Sequence, residues 1–140
     1  FIVRTSWVYG AGKESFLSIV HRHLLAGKQV RAITDVWANT TNVADLVVRT
    51  EEILRRRHYA TYHVVNGGVC SYAEFAREAA RLVGVADTEA NKLIEVVDEA
   101  NMQRLARRPR YTPLRCLASE ALGLVPLRQW PVALAEYVAG

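Results

Sequence analysis

The chain has 140 residues, of which 51% are hydrophobic and 23% charged, and it fits one compact domain over residues 1–140. Its formal net charge of +4 comes with short basic runs at residues 55–57 and 104–110, not one long basic face, which argues against nucleic-acid binding. Arg or Glu interrupts every hydrophobic run before about 18 residues, which argues against a membrane span or a secretory leader. Cys70 and Cys116 lack a CxxC partner, so we expect reduced thiols and a cytoplasmic protein.

The first predicted elements are a strand, a helix and a second strand. Residues 1–3 are apolar and predict a buried strand, which runs through residues 4–10 into a glycine-containing loop. Apolar residues at helical spacing then predict a helix that stops at Gly27: Phe16, Ile19, Val20 and Leu24. A short strand is expected at residues 30–33.

A second helix is predicted to begin after Asn42. Asn42 is a good N-cap, and Asp45 stands in the first turn that would follow it. Apolar residues at helical spacing predict the body of this helix: Val43, Leu46, Val47, Ile53 and Leu54. The helix should end in the arginines at residues 55–57, where cations complement the helix dipole.

A strand and a third helix follow. Residues 59–65 are rich in β-forming residues, and the strand they predict is broken at residues 66–68. Ser71 and Glu74 have the spacing of a capping box. The amphipathic helix that they begin should end at Gly84.

The last third of the chain predicts smaller elements. We expect a strand near residues 93–97, a loop containing Pro109 and Pro113, a short helix at residues 117–122, and a terminal helix after Trp130. This alternation predicts an α/β fold in which the first strand belongs to a parallel sheet. The later short strands should form a smaller sheet covered by helices.

Three apparent motifs do not survive closer inspection. Gly12 and Lys13 resemble the end of a phosphate-binding loop, but the required upstream glycine and the following Ser or Thr are missing. Tyr9 and Lys13 have the spacing of a catalytic Tyr-x-x-x-Lys pair, but the two glycines between them disfavour the helix that this pair needs. The four histidines lack metal-ligand spacing. No glycine-rich dinucleotide motif follows a strand, so we expect the chain alone to bind a nicotinamide cofactor poorly.

Residues 4–10, Arg-Thr-Ser-Trp-Val-Tyr-Gly, resemble the stretch after the catalytic helix of extended short-chain dehydrogenases/reductases, most closely the dTDP-4-dehydrorhamnose reductase (NDP-sugar 4-ketoreductase) family. Residues 35–46, 62–76, 106–114 and 127–137 resemble later segments of that family in the same order. The chain departs from the family's Gln, Gly and Pro in the first of these, with Val36, Ala38 and Thr40 in their places. The resemblance covers nearly the whole chain.

The resemblance implies that the chain is the C-terminal, substrate-binding part of a Rossmann-type enzyme. In that family an upstream half carries the dinucleotide site and the catalytic Tyr-Lys pair, so we expect this chain to be a fragment with no catalytic residue of its own. The complete enzyme would transfer hydride from NADPH or NADH to the C4 ketone of a dTDP-linked 4-keto-6-deoxysugar. The chain would position that substrate.

The same resemblance suggests the roles of individual residues. Trp7 would form a wall against the sugar ring or, alternatively, pack in the core. Thr5 and Ser6 would be polar contacts near the nicotinamide and the ketone. Arg107 or Arg108 would lie near the diphosphate, although Arg108 could instead anchor the loop before its proline.

Asn39 and Thr41 leave two interpretations open. They could line the nucleotide pocket, or they could hydrogen-bond to their own turn. For the chain as a whole, one alternative is a non-catalytic module for a sugar nucleotide or a protein partner, with the strand at residues 1–6 covered by another chain or by a homodimer. A small basic nucleic-acid-binding domain is the weaker alternative.

Overall fold

The computed structural model describes residues 1–102, 106 and 108–140. In chain order, the strands are β1 (Ile2–Arg4), β2 (Val8–Tyr9), β3 (Val30–Ile33), β4 (Trp37–Ala38), β5 (Thr41–Asn42), β6 (Thr61–His63), β7 (Cys70–Ser71) and β8 (Ile94–Val97). The helices are α1 (Phe16–Leu25), α2 (Val43–Arg56), α3 (Tyr72–Leu82), α4 (Asp87–Leu93), α5 (Leu117–Ala121) and α6 (Trp130–Ala139), with a 3₁₀ turn at Glu99–Met102.

The strands form pairs, three of them parallel. β1 pairs with β6, β2 with β5, and β3 with β8 in parallel, whereas β4 and β7 are antiparallel. The prediction that the later short strands form one smaller sheet is therefore wrong. β4 pairs with β7 and makes one further bridge from Trp37 to Tyr111, and β5 pairs with β2, so these two-residue strands do not extend into a common ladder.

The crossover from β1 to β6 runs through α2, which begins where the sequence predicts. The Asn42 side chain accepts a hydrogen bond from the Ala44 amide at 2.9 Å, and Arg57 ends the helix in the left-handed region with φ of 52°. The predicted apolar stripe is only partly buried. Ile53 is fully buried, whereas Val47 is 61% exposed and Leu54 is 50% exposed. Helical spacing alone could not show that only one side of this stripe meets β6.

The opening strand differs from its prediction in burial. β1 hydrogen-bonds to β6 along one edge, and no other described residue pairs with its second edge. Ile2 is 56% exposed as a result, whereas Val3 packs towards the buried residues Tyr62 and Val64. The expectation of a buried strand at residues 1–3 is therefore wrong for this chain.

The helix α3 confirms its predicted capping box. The Ser71 amide donates to the Glu74 carboxylate at 2.6 Å, and the Glu74 amide donates to the Ser71 hydroxyl at 3.1 Å. The chain leaves the helix through Gly84, whose φ is +76°. One face of α3 is fully buried in the main core against α1: Ala73, Phe75, Ala76, Ala79 and Ala80.

The helix α4 was not predicted from the sequence. It has seven residues, no side-chain cap, and only Ala90 and Leu93 buried, so it offers less than two periods of an apolar pattern. The predicted short helix near residue 117 and the terminal helix after Trp130 are both confirmed as α5 and α6. Within the described residues, no helix is long and apolar enough to cross a bilayer.

Candidate ligand site at the end of the first strand

The candidate site begins where the main chain leaves β1. Thr41 holds this segment, because its hydroxyl donates to the Ser6 carbonyl at 2.8 Å and its amide donates to the Trp7 carbonyl at 3.3 Å. The Thr5 hydroxyl donates in turn to the Thr41 hydroxyl at 3.0 Å. Thr5 is exposed, Ser6 is half-buried and Thr41 is fully buried. The structure therefore brings three predicted site residues together, with Thr41 beneath the other two.

Trp7 has an unusual backbone conformation and an aromatic neighbour. Its φ of +37° lies in the left-handed region, which bulky residues seldom occupy. Its indole stacks on Tyr72, with ring centroids 4.0 Å apart and an angle of 29° between the planes. Phe16 meets the Tyr72 ring edge-on at 5.5 Å. Trp7 is half-buried, so it is neither a fully enclosed core residue nor a free surface side chain.

A cavity of about 110 Å³ adjoins this stack. Trp7 and Tyr72 form one wall, and Arg108 and Pro109 lie on its lining together with Thr112. Trp7 and Arg108, two predicted ligand contacts that are far apart in the sequence, thus share one cavity. An aromatic face beside a guanidinium group can hold a sugar ring and a phosphate at the same time.

A second, larger cavity of about 340 Å³ also adjoins the stack. Trp7 and Tyr72 line it as well, together with Lys13, Ser15 and Phe16. In the sequence, Lys13 belongs only to the incomplete phosphate-binding loop and to the Tyr-x-x-x-Lys spacing that the glycines disfavour. The structure gives it a different position, at the margin of a cavity that begins at the Trp7 ring.

The loop that carries Arg108 is fastened to the rest of the chain by main-chain and carboxylate contacts. The Trp37 amide donates to the Arg110 carbonyl at 2.7 Å, and the Thr112 amide donates back to the Trp37 carbonyl at 3.0 Å. The Asp35 carboxylate accepts from the Glu99 amide at 2.7 Å and lies 3.4 Å from the Arg110 guanidinium. The loop has a defined place beside Trp7 for these reasons.

Asn39 bridges two segments. Its amide nitrogen donates to the Gly68 carbonyl at 2.7 Å, and its oxygen accepts from the Leu114 amide at 2.7 Å. The side chain is buried, and these bonds reach well beyond its own turn. Asn39 therefore joins the turn after β6 to the end of the Arg108 loop. Arg107, the other predicted diphosphate contact, lies outside the described residues.

The segment from Tyr9 to Lys13 does not form a catalytic pair. It is a strand end followed by a turn in which Gly12 has φ of +78°, and the helix starts only at Phe16. Tyr9 is completely buried, and this burial raises the pKa of its hydroxyl far above the usual range. A tyrosine with a raised pKa and no access to solvent is unsuited to proton transfer, which agrees with the rejection of this motif.

Tyr72 is the contact at the site that sequence reasoning missed. It stands inside the capping-box segment, where the sequence signals the start of a helix and nothing more. Its partner Trp7 is distant in the sequence, so no local spacing could pair the two rings. The resemblance of residues 71–76 to a family helix locates the position but gives it no role.

All 140 residues match the family model described as RmlD substrate binding domain. The chain belongs to this family. It is 34% identical over 141 residues to a dTDP-4-dehydrorhamnose reductase of Mycolicibacterium smegmatis, covering 99% of this chain and 42% of that protein. It is 31% identical over 137 residues to the spore coat polysaccharide biosynthesis protein SpsK of Bacillus subtilis, covering 98% of this chain and 46% of that protein.

A solved structure of dTDP-4-dehydrorhamnose reductase from Bacillus anthracis, in complex with NADP, superposes with a TM-score of 0.84 at 27% identity. The match covers 99% of this chain and 48% of that one. A dTDP-glucose 4,6-dehydratase from the same species shares the fold, with a TM-score of 0.76, 17% identity, and 98% and 42% of the two chains covered. The predicted α/β, Rossmann-type fold of extended short-chain dehydrogenases/reductases is confirmed, and the chain spans about half the length of the relatives it matches.

Proposed function

We propose that the chain is the substrate-binding portion of an NADPH-dependent sugar-nucleotide 4-ketoreductase that acts on a dTDP-linked 4-keto-6-deoxysugar. The observation that carries this proposal is the cavity shared by Trp7 and Arg108 in a chain of the RmlD substrate binding domain family. Relatives with the name dTDP-4-dehydrorhamnose reductase support the choice of nucleotide and sugar.

Each residue at the cavity suits one part of such a ligand. The Trp7 indole offers a flat apolar surface to the C–H face of a sugar ring. The exposed Arg108, which lines the same cavity, can hold phosphate oxygens with two parallel hydrogen bonds from its guanidinium. Substrate binding by these two groups would fix the position of the ketone carbon relative to the end of β1.

The cofactor requires residues beyond those of this chain. NADPH, when bound, supplies the hydride that reduces the ketone. The structure offers it the exposed Thr5 and half-buried Ser6 at the carboxyl end of a strand, the usual place for ligand contacts in this type of sheet. We assign Thr5 and Ser6 the task of orienting the nicotinamide and ketone, with Thr41 holding their main chain in place.

Ligand titration of the protein as its gene encodes it tests the proposal. Binding of dTDP and of a dTDP-linked 4-keto-6-deoxysugar is measured by calorimetry, and reduction is followed by the loss of NADPH absorbance. We expect Arg108→Gln to weaken dTDP binding at least about tenfold, since hydrogen bonds to charged groups contribute roughly 1.5–3 kcal/mol. The matched control is Arg56→Gln at the exposed end of α2, which should leave binding unchanged.

The outcomes separate the proposal from its main alternative. Failure of the wild-type protein to bind either ligand would contradict a sugar-nucleotide site. Binding of both ligands without consumption of NADPH would favour the non-catalytic binding module. Equal losses in the two arginine variants would show that overall charge, and not the Arg108 site, governs binding.

A further inference from the structure

The indole of Trp7 is the shared wall of both cavities, so its orientation decides the shape of each. The main chain at Trp7 is strained, with φ of +37°, and a strained residue persists only where its surroundings hold it. Thr41 holds the main chain through the Ser6 and Trp7 carbonyls. These bonds fix the backbone but leave the side-chain torsions of Trp7 free.

Tyr72 supplies the contact that the backbone bonds do not. Its ring lies against the Trp7 indole with centroids 4.0 Å apart, the closest of the aromatic pairs in the described part of the chain. Phe16, at the start of α1, meets the Tyr72 ring edge-on. The indole is thus held by a ring that is itself held from a second helix.

Tyr72 stands on a rigid base. It is the first residue of α3 and lies within the complete Ser71–Glu74 capping box, and its neighbour Ala73 is fully buried. A residue whose main chain is fixed by a helix cap and a packed face can impose an orientation on a neighbour at little entropic cost. Trp7 lies between β1 and β2, outside any strand, and its partly buried side chain packs against two core clusters to which Tyr72 also belongs as a partly buried neighbour.

We infer that Tyr72 is a positioning residue, which fixes the Trp7 indole where it lines both cavities and thereby sets the affinity of the site for the sugar portion of its ligand. The inference rests on the proposed function for the identity of that ligand. The assignment of Tyr72 depends only on the stacked geometry. Replacing the ring should therefore affect the wall that Trp7 forms before it affects the contacts of Arg108.

The test compares Tyr72→Leu with Tyr72→Phe in the protein as its gene encodes it. Near-ultraviolet circular dichroism, with Trp7→Phe as the reference that identifies the Trp7 signal, reports the orientation of the indole without any ligand. Calorimetry then gives the dissociation constants of dTDP and of the dTDP-linked 4-keto-6-deoxysugar. Tyr59→Leu, at a residue 77% exposed and outside the site, is the matched control.

We expect Tyr72→Leu to abolish most of the Trp7 signal and to weaken binding of the dTDP-sugar about 2- to 10-fold, the range that corresponds to an aromatic pair. Its affinity for dTDP should stay within about twofold of wild type by the same scale. Tyr72→Phe keeps a stacking ring and should restore both properties. Tyr59→Leu should behave as wild type.

Several results would overturn the inference. An unchanged Trp7 signal in Tyr72→Leu would show that Tyr72 does not orient the indole. Equal weakening of dTDP and dTDP-sugar binding, or a Tyr72→Phe variant as impaired as Tyr72→Leu, would indicate a general structural or hydroxyl role. If the wild-type protein binds neither ligand, the proposed function and the affinity claim both fail, while the spectra still decide whether Tyr72 orients Trp7.

Discussion

Replacement of Asn66 should destabilise the protein more than almost any other single polar substitution. Asn66 is fully buried after β6. Its side-chain oxygen accepts from the Asn42 amide at 2.8 Å, and its nitrogen donates to the Asp45 carboxylate at 2.7 Å and to the Arg128 carbonyl at 3.2 Å. One side chain therefore connects β6, the start of α2 and the segment before α6.

The expected loss follows from these three bonds. A net contribution of about 1 kcal/mol for each gives about 3 kcal/mol for Asn66→Ala, and the buried Asn42 amide left without its partner adds to this cost. Such a loss is a large part of a typical stability of about 5–15 kcal/mol. The assay is urea unfolding, with Asn101→Ala at an exposed position as a control that should change stability by at most about 0.5 kcal/mol.

Asn66→Asp adds a dependence on pH whose sign can be worked out. The introduced carboxylate would lie beside the Asp45 carboxylate. The negative charge of Asp45 should raise the pKa of the introduced group in the folded state above its pKa in the unfolded state. Stability of the variant is then greatest at low pH, where the protonated group can still donate to Asp45, and falls as pH rises through the raised pKa. A loss below about 1 kcal/mol for Asn66→Ala, or a variant Asn66→Asp that gains stability as pH rises, would refute the reasoning.

Three further predictions concern a helix cap, a turn and a thiol. Ser71→Ala should cost about 1 kcal/mol in urea unfolding, whereas Ser15→Ala, at an N-cap whose hydroxyl bonds the Ser18 hydroxyl and no main-chain amide of the helix, should cost less than about half of that. Gly68→Ala should destabilise more than Gly84→Ala by about 1–3 kcal/mol, because both have positive φ but only at Gly68 would the new Cβ lie 2.9 Å from Trp130; equal losses would contradict this. Burial raises the pKa of Cys70 to about 12, so alkylation of the native protein near neutral pH should label Cys116 first, as mass spectrometry of digested protein would show.

Local sequence signals correctly predicted the elements whose ends are determined by neighbouring residues. The Asn42 cap, the Ser71–Glu74 capping box and the glycine after α3 each depend on a few neighbouring residues, and each is confirmed. The same signals failed where burial depends on a distant partner. Ile2 is exposed because β1 has a described neighbour on one edge alone, and no local pattern contains that information.

At the candidate site, too, some features could be predicted from the sequence and others depend on distant contacts. Trp7 and Arg108 could be selected from a family resemblance, and the structure places both at one cavity. The resemblance gave no means of finding the Tyr72 ring against Trp7, since the contact depends on how α3 packs beside the end of β1. It also left open whether Asn39 bonds within its own turn, and the structure shows bonds to Gly68 and Leu114 instead.

These contacts separate the residues that face the cavity from those that hold them. Thr41, Asn39 and Asp35 are engaged in hydrogen bonds to the chain itself, and through them the end of β1 and the Arg108 loop have fixed places. A site whose loops are held in this way loses little conformational freedom when it binds a ligand, so more of the contact energy appears as affinity. Substitution of Asn39 should therefore weaken ligand binding by loosening the loop, even though its own amide is already bonded to main-chain atoms.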